Sequence, residues 1–122
     1  MPANHVRPVT EENFEAEVLE SPVPVLVDFA TAWCPPCRVI APILQRLAAE
    51  NEGRVRVASV DGDACPALAA RFSVRGYPTV IAFAAGKEQA RHLGTASREK
   101  LMQMVDACGT TASARTQRET AA

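Results

Sequence analysis

The chain has 122 residues, of which 48% are apolar and 22% are charged, and its formal net charge is -1. This length accommodates one compact domain and excludes a two-domain enzyme. The 13 basic and 14 acidic residues leave no basic face of the kind that binds nucleic acid or an anionic membrane.

The longest unbroken apolar run, Val80 to Ala85, is far shorter than the roughly 20 residues needed to cross a bilayer. Residues 1–5 lack the charged segment and the apolar core of a secretory signal. We therefore expect a cytoplasmic monomer with no membrane partner and no nucleic-acid partner.

The chain opens with a helical pattern followed by an extended one. Thr10 is a candidate N-cap, and Phe14 and Val18 lie four residues apart, as on one face of a short helix. The stretch from Val23 to Ala30 is rich in apolar and β-branched residues, which is typical of a strand buried on both faces. Asp28 interrupts this strand, and a carboxylate there must be paired, hydrated or protonated, so burial should raise its pKa.

The middle of the chain predicts the longest helix, a second strand and a short helix. Apolar residues recur at helical spacing from Ile40 to Ala48, and Pro42 removes one backbone hydrogen bond within that helix. The alternating stretch from Val55 to Val60 predicts a strand. Pro66 can open a short helix that runs to about Phe72.

The last third of the chain predicts a β-hairpin followed by a helix. Residues 79–84 and 88–93 have strand patterns that a short turn connects, and Ser97 can cap a helix that ends near Cys108. This order of elements predicts an α/β fold, with a central mixed β-sheet flanked by α-helices on both faces.

The C-terminal segment differs from the rest in composition. Over residues 109–122 alanine is the only aliphatic residue type and no aromatic residue occurs. Such a segment buries too little apolar surface to offset the entropy of ordering it. We therefore expect a folded domain over residues 1–108 and a disordered tail over residues 109–122.

The chain has four cysteines, of which only Cys34 and Cys37 are closely spaced. A domain of this size can build a core without disulfides, so structural disulfides are not expected. Structural zinc needs about four ligands, and because there is no second close pair we expect no metal site. Cys108 is expected in the core, and Cys65 is expected at the surface, with a regulatory or dimer-forming thiol as its alternative role.

The close pair of cysteines lies where a buried strand ends and the longest helix begins. The free N–H groups and the dipole of a helix N-terminus favour a thiolate, which is the attacking species in disulfide exchange. We expect Cys34 to be exposed and to attack a substrate disulfide, and Cys37 to resolve the mixed disulfide. Because Pro35 and Pro36 lack an N–H group, the amide of Cys37 is the remaining donor near Cys34. Trp33 suits an apolar platform beside the pair.

Motifs spread over the chain resemble those of the thioredoxin family. They are Val27-Asp28-Phe29, Trp33-Cys34-x-Pro36-Cys37, Ala41-Pro42 and Gly76-Tyr77-Pro78-Thr79, with Phe83, Gly86 and Gly94 also in the family's positions. An ordered set of this kind is far more specific than a lone pair of cysteines two residues apart. The resemblance covers about Val9 to Ala107.

The resemblance implies a thioredoxin-like fold and a thiol–disulfide oxidoreductase that reduces protein disulfides. It implies no bound cofactor, with electrons from NADPH through a flavoprotein thioredoxin reductase, and clients that carry disulfides. It places Asp28 behind Cys37 as a proton-transfer residue and implies that the bond before Pro78 is cis. The implied substrate groove comprises Trp33, Pro36, Tyr77, Pro78 and Gly94.

Some positions depart from the family pattern, and two alternative functions stay open. Pro35 stands where the family commonly has glycine, and Ser59 stands where a lysine often approaches the buried carboxylate. A disulfide oxidase or isomerase would use the same two sulfurs in the other direction. A partner-binding module would use the groove beside Pro78 without turnover.

Overall fold

The computed structural model describes residues 5–108, so the expected tail over residues 109–122 lies outside the described residues. Its strands are β1 (Val6–Pro8), β2 (Val25–Ala30), β3 (Arg56–Asp61), β4 (Thr79–Ala84) and β5 (Lys87–Leu93). Its helices are a π-helical turn (Glu15–Leu19), α1 (Pro35–Glu50), α2 (Pro66–Arg71) and α3, whose described part covers residues 98–108. No helix within residues 5–108 is long and apolar enough to span a membrane.

The strands form one mixed sheet in the order β1-β3-β2-β4-β5. The first three run parallel, whereas β4 is antiparallel to β2 and β5 is antiparallel to β4. Strand β2 therefore lies at the centre, where Asp28 is opposite Ser59 of β3 on one side and Val80 of β4 on the other. A central position explains the nearly continuous apolar sequence of β2.

Helices cover both faces of the sheet, which confirms the predicted α/β architecture. Successive residues of a strand point to opposite faces of the sheet. On one face, Val27 and Phe29 pack with Phe14 and with apolar residues of the π-helical turn and α2. Leu26 packs on the other face, together with the apolar residues of α1 and α3. Asp28 follows Leu26 by two residues and therefore points toward α1.

The sequence predictions need correction near the N-terminus of the chain. Strand β1 was not predicted, because it has three residues and is held by parallel pairing, such as Val6 with Val57, that no local pattern reveals. Thr10 does not begin an α-helix: residues 11–13 form a turn, and the following turn is π-helical. Phe14 and Val18 are nevertheless both fully buried.

Helix α1 carries the close cysteine pair at its start. Cys34 is the N-cap, with extended backbone angles, and prolines occupy the next two positions, where a missing N–H costs little. The helix continues through Pro42 to Glu50, and its C-cap is Asn51, whose side-chain amide donates to the Leu47 carbonyl at 2.8 Å. On α3 the predicted cap is confirmed, because Ser97 Oγ accepts a hydrogen bond from the Lys100 amide at 3.1 Å.

Candidate active site

The cysteine pair lies at the carboxyl end of the central strand. After β2 the chain turns through residues 31–33, and the amide of Cys34 donates to the Thr31 carbonyl at 3.4 Å. Cys37 follows in the first turn of α1. Both cysteines are free thiols, so the structure represents the reduced, dithiol form.

The sulfur of Cys34 makes two hydrogen bonds. It accepts one from the amide of Cys37 at 3.2 Å, which confirms the donor expected from the two prolines. It donates the other to the carbonyl of Tyr77 at 3.4 Å. The expectation that Cys34 is exposed is wrong, because packing against the Tyr77 carbonyl leaves the residue only 3% exposed.

Cys37 is buried behind Cys34, and its thiol resists ionisation. Burial raises the pKa of Cys37, and the hydrogen bond with the Cys34 side chain raises it further. A backbone hydrogen bond from Thr31 lowers this pKa, and the charges of Cys34 and Asp28 make smaller, raising contributions. A thiol in this environment needs a base before it can attack a disulfide.

Asp28 is a buried carboxyl group near that thiol. The residue is 5% exposed, and desolvation raises its pKa from 3.8 to about 7. The shift agrees with the direction expected from its apolar surroundings. Asp28 and Ser59 border a cavity of about 170 Å³ between β1 and α1. Ser59 is the small residue that stands where the family often has a lysine.

The loop that faces the cysteines contains a cis peptide bond between Tyr77 and Pro78, as the resemblance implied. The carbonyl of Pro78 accepts a hydrogen bond from the Gly94 amide at 2.8 Å, so Gly94 is connected to the site through Pro78. Gly94 has a φ of 100°, which favours glycine.

Trp33 forms an exposed rim beside the pair rather than part of the core. Its side chain is 64% exposed, and its ring meets the Tyr77 ring edge-on with 6.3 Å between centroids. The indole N–H donates to Asp63 Oδ2 at 2.8 Å. Sequence reasoning missed Asp63 as a site residue, although the turn Asp61-Gly62-Asp63 was visible. Pro36 is exposed on the first turn of α1.

The ring of Tyr77 packs directly over Gly62, leaving no room for a side chain at that glycine. Burial raises the pKa of Tyr77, and the negative charges of Asp63 and Asp61 raise it further. The Trp33 and Tyr77 rings together form an aromatic rim beside the cysteine pair. The loop between β3 and α2 contacts this rim at both rings, through Asp63 and Gly62.

The two remaining cysteines do not join the site. Cys108 is fully buried in the core on the α1 face, as predicted. The surface position expected for Cys65 is wrong: the residue is 4% exposed and belongs to the core on the opposite face, with Leu68 of α2. Among residues 5–108 no group of three or more His, Cys, Asp or Glu side chains could hold a metal ion.

Comparison with known proteins extends this description. A family model described as Thioredoxin matches residues 5–107. Thioredoxin C-2 of Corynebacterium nephridii is 41% identical over 97 residues, which is 80% of this chain and 90% of that protein. The thioredoxin of Acidithiobacillus ferridurans is 43% identical over 98 residues, with 80% and 91% covered. Thioredoxin 1 of Nostoc sp. is 38% identical over 98 residues, with 80% and 92% covered.

Proposed function

Since the chain belongs to the thioredoxin family and is a thiol–disulfide oxidoreductase, we propose that Cys34 is its nucleophile, Cys37 its resolving thiol and Asp28 the acceptor of the Cys37 proton. The activity is that of a protein-disulfide reductase, and the relatives named thioredoxin do not favour the oxidase, isomerase or partner-binding alternatives. The observation that carries the proposal is the Cys37 amide directed at the Cys34 sulfur at a helix N-terminus.

In the first step, the Cys34 thiolate attacks one sulfur of a client disulfide. A bond forms between Cys34 and that sulfur, the client disulfide breaks, and the second client sulfur leaves with the bonding electron pair. The Cys37 amide supports this step, because a thiolate accepts a hydrogen bond more strongly than a thiol does. Once deprotonated, Cys34 no longer donates to the Tyr77 carbonyl, which is then free to pair with an extended client segment.

In the second step, Cys37 gives up its proton and attacks the sulfur of Cys34. The bond from Cys34 to the client breaks, and the client sulfur leaves with the bonding electrons. The client is thereby reduced by two electrons and the cysteine pair is oxidised to a disulfide. Asp28 suits the role of proton acceptor because a pKa of about 7 leaves it partly ionised at neutral pH.

The proposed client groove runs past the exposed aromatic rim. Trp33 offers an exposed apolar edge, Pro36 is exposed at the helix start, and Tyr77 presents backbone next to the Cys34 sulfur. Pro78 fixes that backbone, and Gly94 lies against Pro78 without a side chain. Client recognition would therefore depend on main chain and local shape.

Proteins of this family work with a reductase and with disulfide-bearing clients in general. For this chain we propose that NADPH supplies the electrons through a flavoprotein thioredoxin reductase, with no cofactor bound to the protein itself. The proposed compartment is the cytoplasm, where thiols are kept reduced, and the proposed active form is the monomer.

Rapid-mixing kinetics with a disulfide-bearing protein test the roles of Cys34 and Asp28 separately. Cys34→Ser should form no mixed disulfide, whereas Asp28→Asn should form it at the wild-type rate and resolve it more slowly. Asp106→Asn, on the exposed part of α3, is the matched control and should behave as wild type. If Asp28→Asn resolved the mixed disulfide at the wild-type rate, another group would take the proton.

A further inference from the structure

The buried carboxyl group of the central strand has no partner of opposite charge within residues 5–108. Asp28 is 5% exposed, its Oδ1 has no hydrogen-bond partner, and none of the ion pairs in that range includes it. Buried polar atoms in folded proteins are nearly always paired, and a buried charge costs free energy unless it is paired. The described chain thus leaves the ionised form of Asp28 without a cation.

The cavity of about 170 Å³ between β1 and α1 gives a small cation access to this carboxyl group. Asp28 is paired with Ser59 of β3, and Ser59 is paired with Pro8 of the edge strand β1. All three residues line the cavity, and Ala41 of α1 lines the opposite wall. Because Pro8 and Ala41 are exposed, the cavity opens to solvent between the sheet edge and the helix.

The rest of the lining is mostly apolar. Val6 and Leu44 contribute aliphatic walls, and Ser59 and Gln45 contribute the other polar side chains. Gln45 Oε1 already accepts the amide of His5 at 3.0 Å. Within residues 5–108 no lysine, arginine or histidine lines the cavity. A carboxyl group among aliphatic walls suits a ligand that has a cationic head and an apolar stem.

The size and composition of the cavity narrow the chemistry of that ligand. Pockets for drug-sized molecules measure roughly 300–1,000 Å³, so a cavity of about 170 Å³ takes a smaller molecule. Calcium needs about six to eight oxygen ligands, more than this lining offers. A primary ammonium group is a compact charge with three N–H donors, which the oxygens of Asp28 and Ser59 can accept.

We propose that this cavity is a binding site for a primary alkylammonium ion, whose charged group pairs with the Asp28 carboxylate and donates to the Ser59 hydroxyl while its alkyl stem contacts the aliphatic walls. Both a free amine and the lysine side chain of another protein carry this chemistry. The bound ion favours the ionised carboxylate and thus lowers the pKa of Asp28. The site is separate from disulfide exchange and does not depend on the role of Asp28 in that reaction.

Binding should depend on pH through Asp28. Burial raises the pKa of Asp28 to about 7, whereas an alkylammonium ion stays protonated to about pH 10. The titratable group that faces Asp28 from α1 is Cys37, which is neutral at pH 8 because its pKa is raised to about 12. Strands β3 and β4 place Ser59 and Val80 beside Asp28, and neither titrates. Strand β1 contributes Pro8 to the cavity, which does not titrate either. The site should therefore bind the ion at pH 8 and lose it at pH 5.

The test titrates n-butylammonium chloride into the reduced protein and follows the amide signals by NMR spectroscopy. At pH 8 the signals of cavity residues such as Val6 and Ser59 should shift and saturate with a Kd on the order of 10 mM, as expected for so small a ligand. At pH 5, and in Asp28→Asn at pH 8, binding should be at least tenfold weaker. Asp106→Asn should bind as wild type, and tetramethylammonium, which has no N–H donor, should not bind.

A second probe, Nα-acetyl-lysine methylamide, separates the two sources of the ammonium group. Binding of n-butylammonium alone supports a site for free amines, and binding of both probes supports a site that also takes lysine side chains. Three results would overturn the inference: no binding of either probe, equal binding at pH 5 and pH 8, or shifts that lie outside the cavity. The wild-type titration decides these points even if Asp28→Asn does not fold. None of these results bears on disulfide reduction, so the proposed function would remain intact.

Discussion

Two helices of this protein begin in the same way, yet only one of them carries the proposed chemistry. Cys34 caps α1 and Cys65 caps α2, each is followed by proline, and the two are 3% and 4% exposed. The sulfur of Cys34 accepts the amide of Cys37, whereas the side chain of Cys65 accepts no capping hydrogen bond. A buried cysteine before a proline-led helix is therefore not sufficient for a reactive thiol.

What distinguishes the two helix starts is their surroundings. Cys34 has a second thiol one turn away, a carbonyl at its sulfur and a buried carboxyl group in the strand beneath. Cys65 is surrounded by the aromatic and aliphatic core on the opposite face of the sheet. We infer that the reactivity comes from the groups that converge on α1, and five experiments test this comparison.

The largest expected difference is between serine substitutions at the two caps. Cys34→Ser removes the attacking sulfur, so disulfide reduction coupled to NADPH oxidation through a thioredoxin reductase should fall to background. The matched variant Cys65→Ser should retain most of the activity. Comparable losses in both variants would show that the two helix starts are not functionally distinct.

The two cysteines of the close pair should also differ in the effect of a serine substitution. Cys37→Ser leaves the nucleophile intact but removes the resolving thiol, so a covalent adduct between Cys34 and the client should accumulate. Mass spectrometry of the intact protein detects such an adduct. Turnover without any trapped adduct would contradict the proposed order of attack.

The buried carboxyl group should make folding stability depend on pH. The unfolded chain ionises Asp28 near pH 3.8, whereas the folded protein keeps it protonated up to about 7, so the folded state binds more protons between these values and stability falls as pH rises. Asp28→Asn removes this titration. At pH 8 the variant should be more stable than wild type by about 4 kcal/mol, and the difference should shrink toward pH 4.

Urea unfolding at pH 4, 6 and 8 measures this effect, and Asp106→Asn serves as the control. A stability difference between Asp28→Asn and wild type that does not change with pH would show that the carboxyl group is not desolvated in the folded protein.

The aromatic rim should be sensitive to Gly62, which lies outside the cysteine pair. A methyl group there meets the Tyr77 ring, so Gly62→Ala should displace the ring and disturb its contact with Trp33. We expect a severalfold rise in KM for a protein disulfide with little change in kcat. A change in kcat with an unchanged KM would instead place Gly62 in the chemistry rather than in client binding.

The smallest expected effect is at the second helix start. Cys65→Ala leaves a small cavity in the core and should lower the free energy of unfolding by about 1 kcal/mol, with reductase activity unchanged. Thermal or urea unfolding together with the coupled assay measures both quantities. A loss of activity at full stability would assign Cys65 a functional role.

Local sequence patterns predicted the features that depend on neighbouring residues. The two prolines predicted that the Cys37 amide would be the donor at Cys34, and the apolar run around Asp28 predicted a buried carboxyl group with a raised pKa. The spacing of Phe14 and Val18 predicted a short helix, and both residues are buried on a helical turn whose geometry differs from the one expected.

The features that sequence could not predict depend on distant residues. Cys34 is buried by the carbonyl of Tyr77, which lies 43 positions away, and Trp33 is held by Asp63, 30 positions away. Strand β1 exists through its pairing with β3. Cys65 was predicted at the surface because nothing in its neighbouring sequence shows that α2 turns it into the core.

One measurement tests the proposed exchange most directly. The reduced protein is mixed with a disulfide-bearing client, free thiols are blocked, and the position of any new disulfide is mapped by digestion and mass spectrometry. We predict a disulfide between Cys34 and Cys37, with Cys65 and Cys108 recovered as blocked thiols. A bond that includes Cys65 or Cys108, or reduction of the client with Cys34 and Cys37 both still free, would contradict the account.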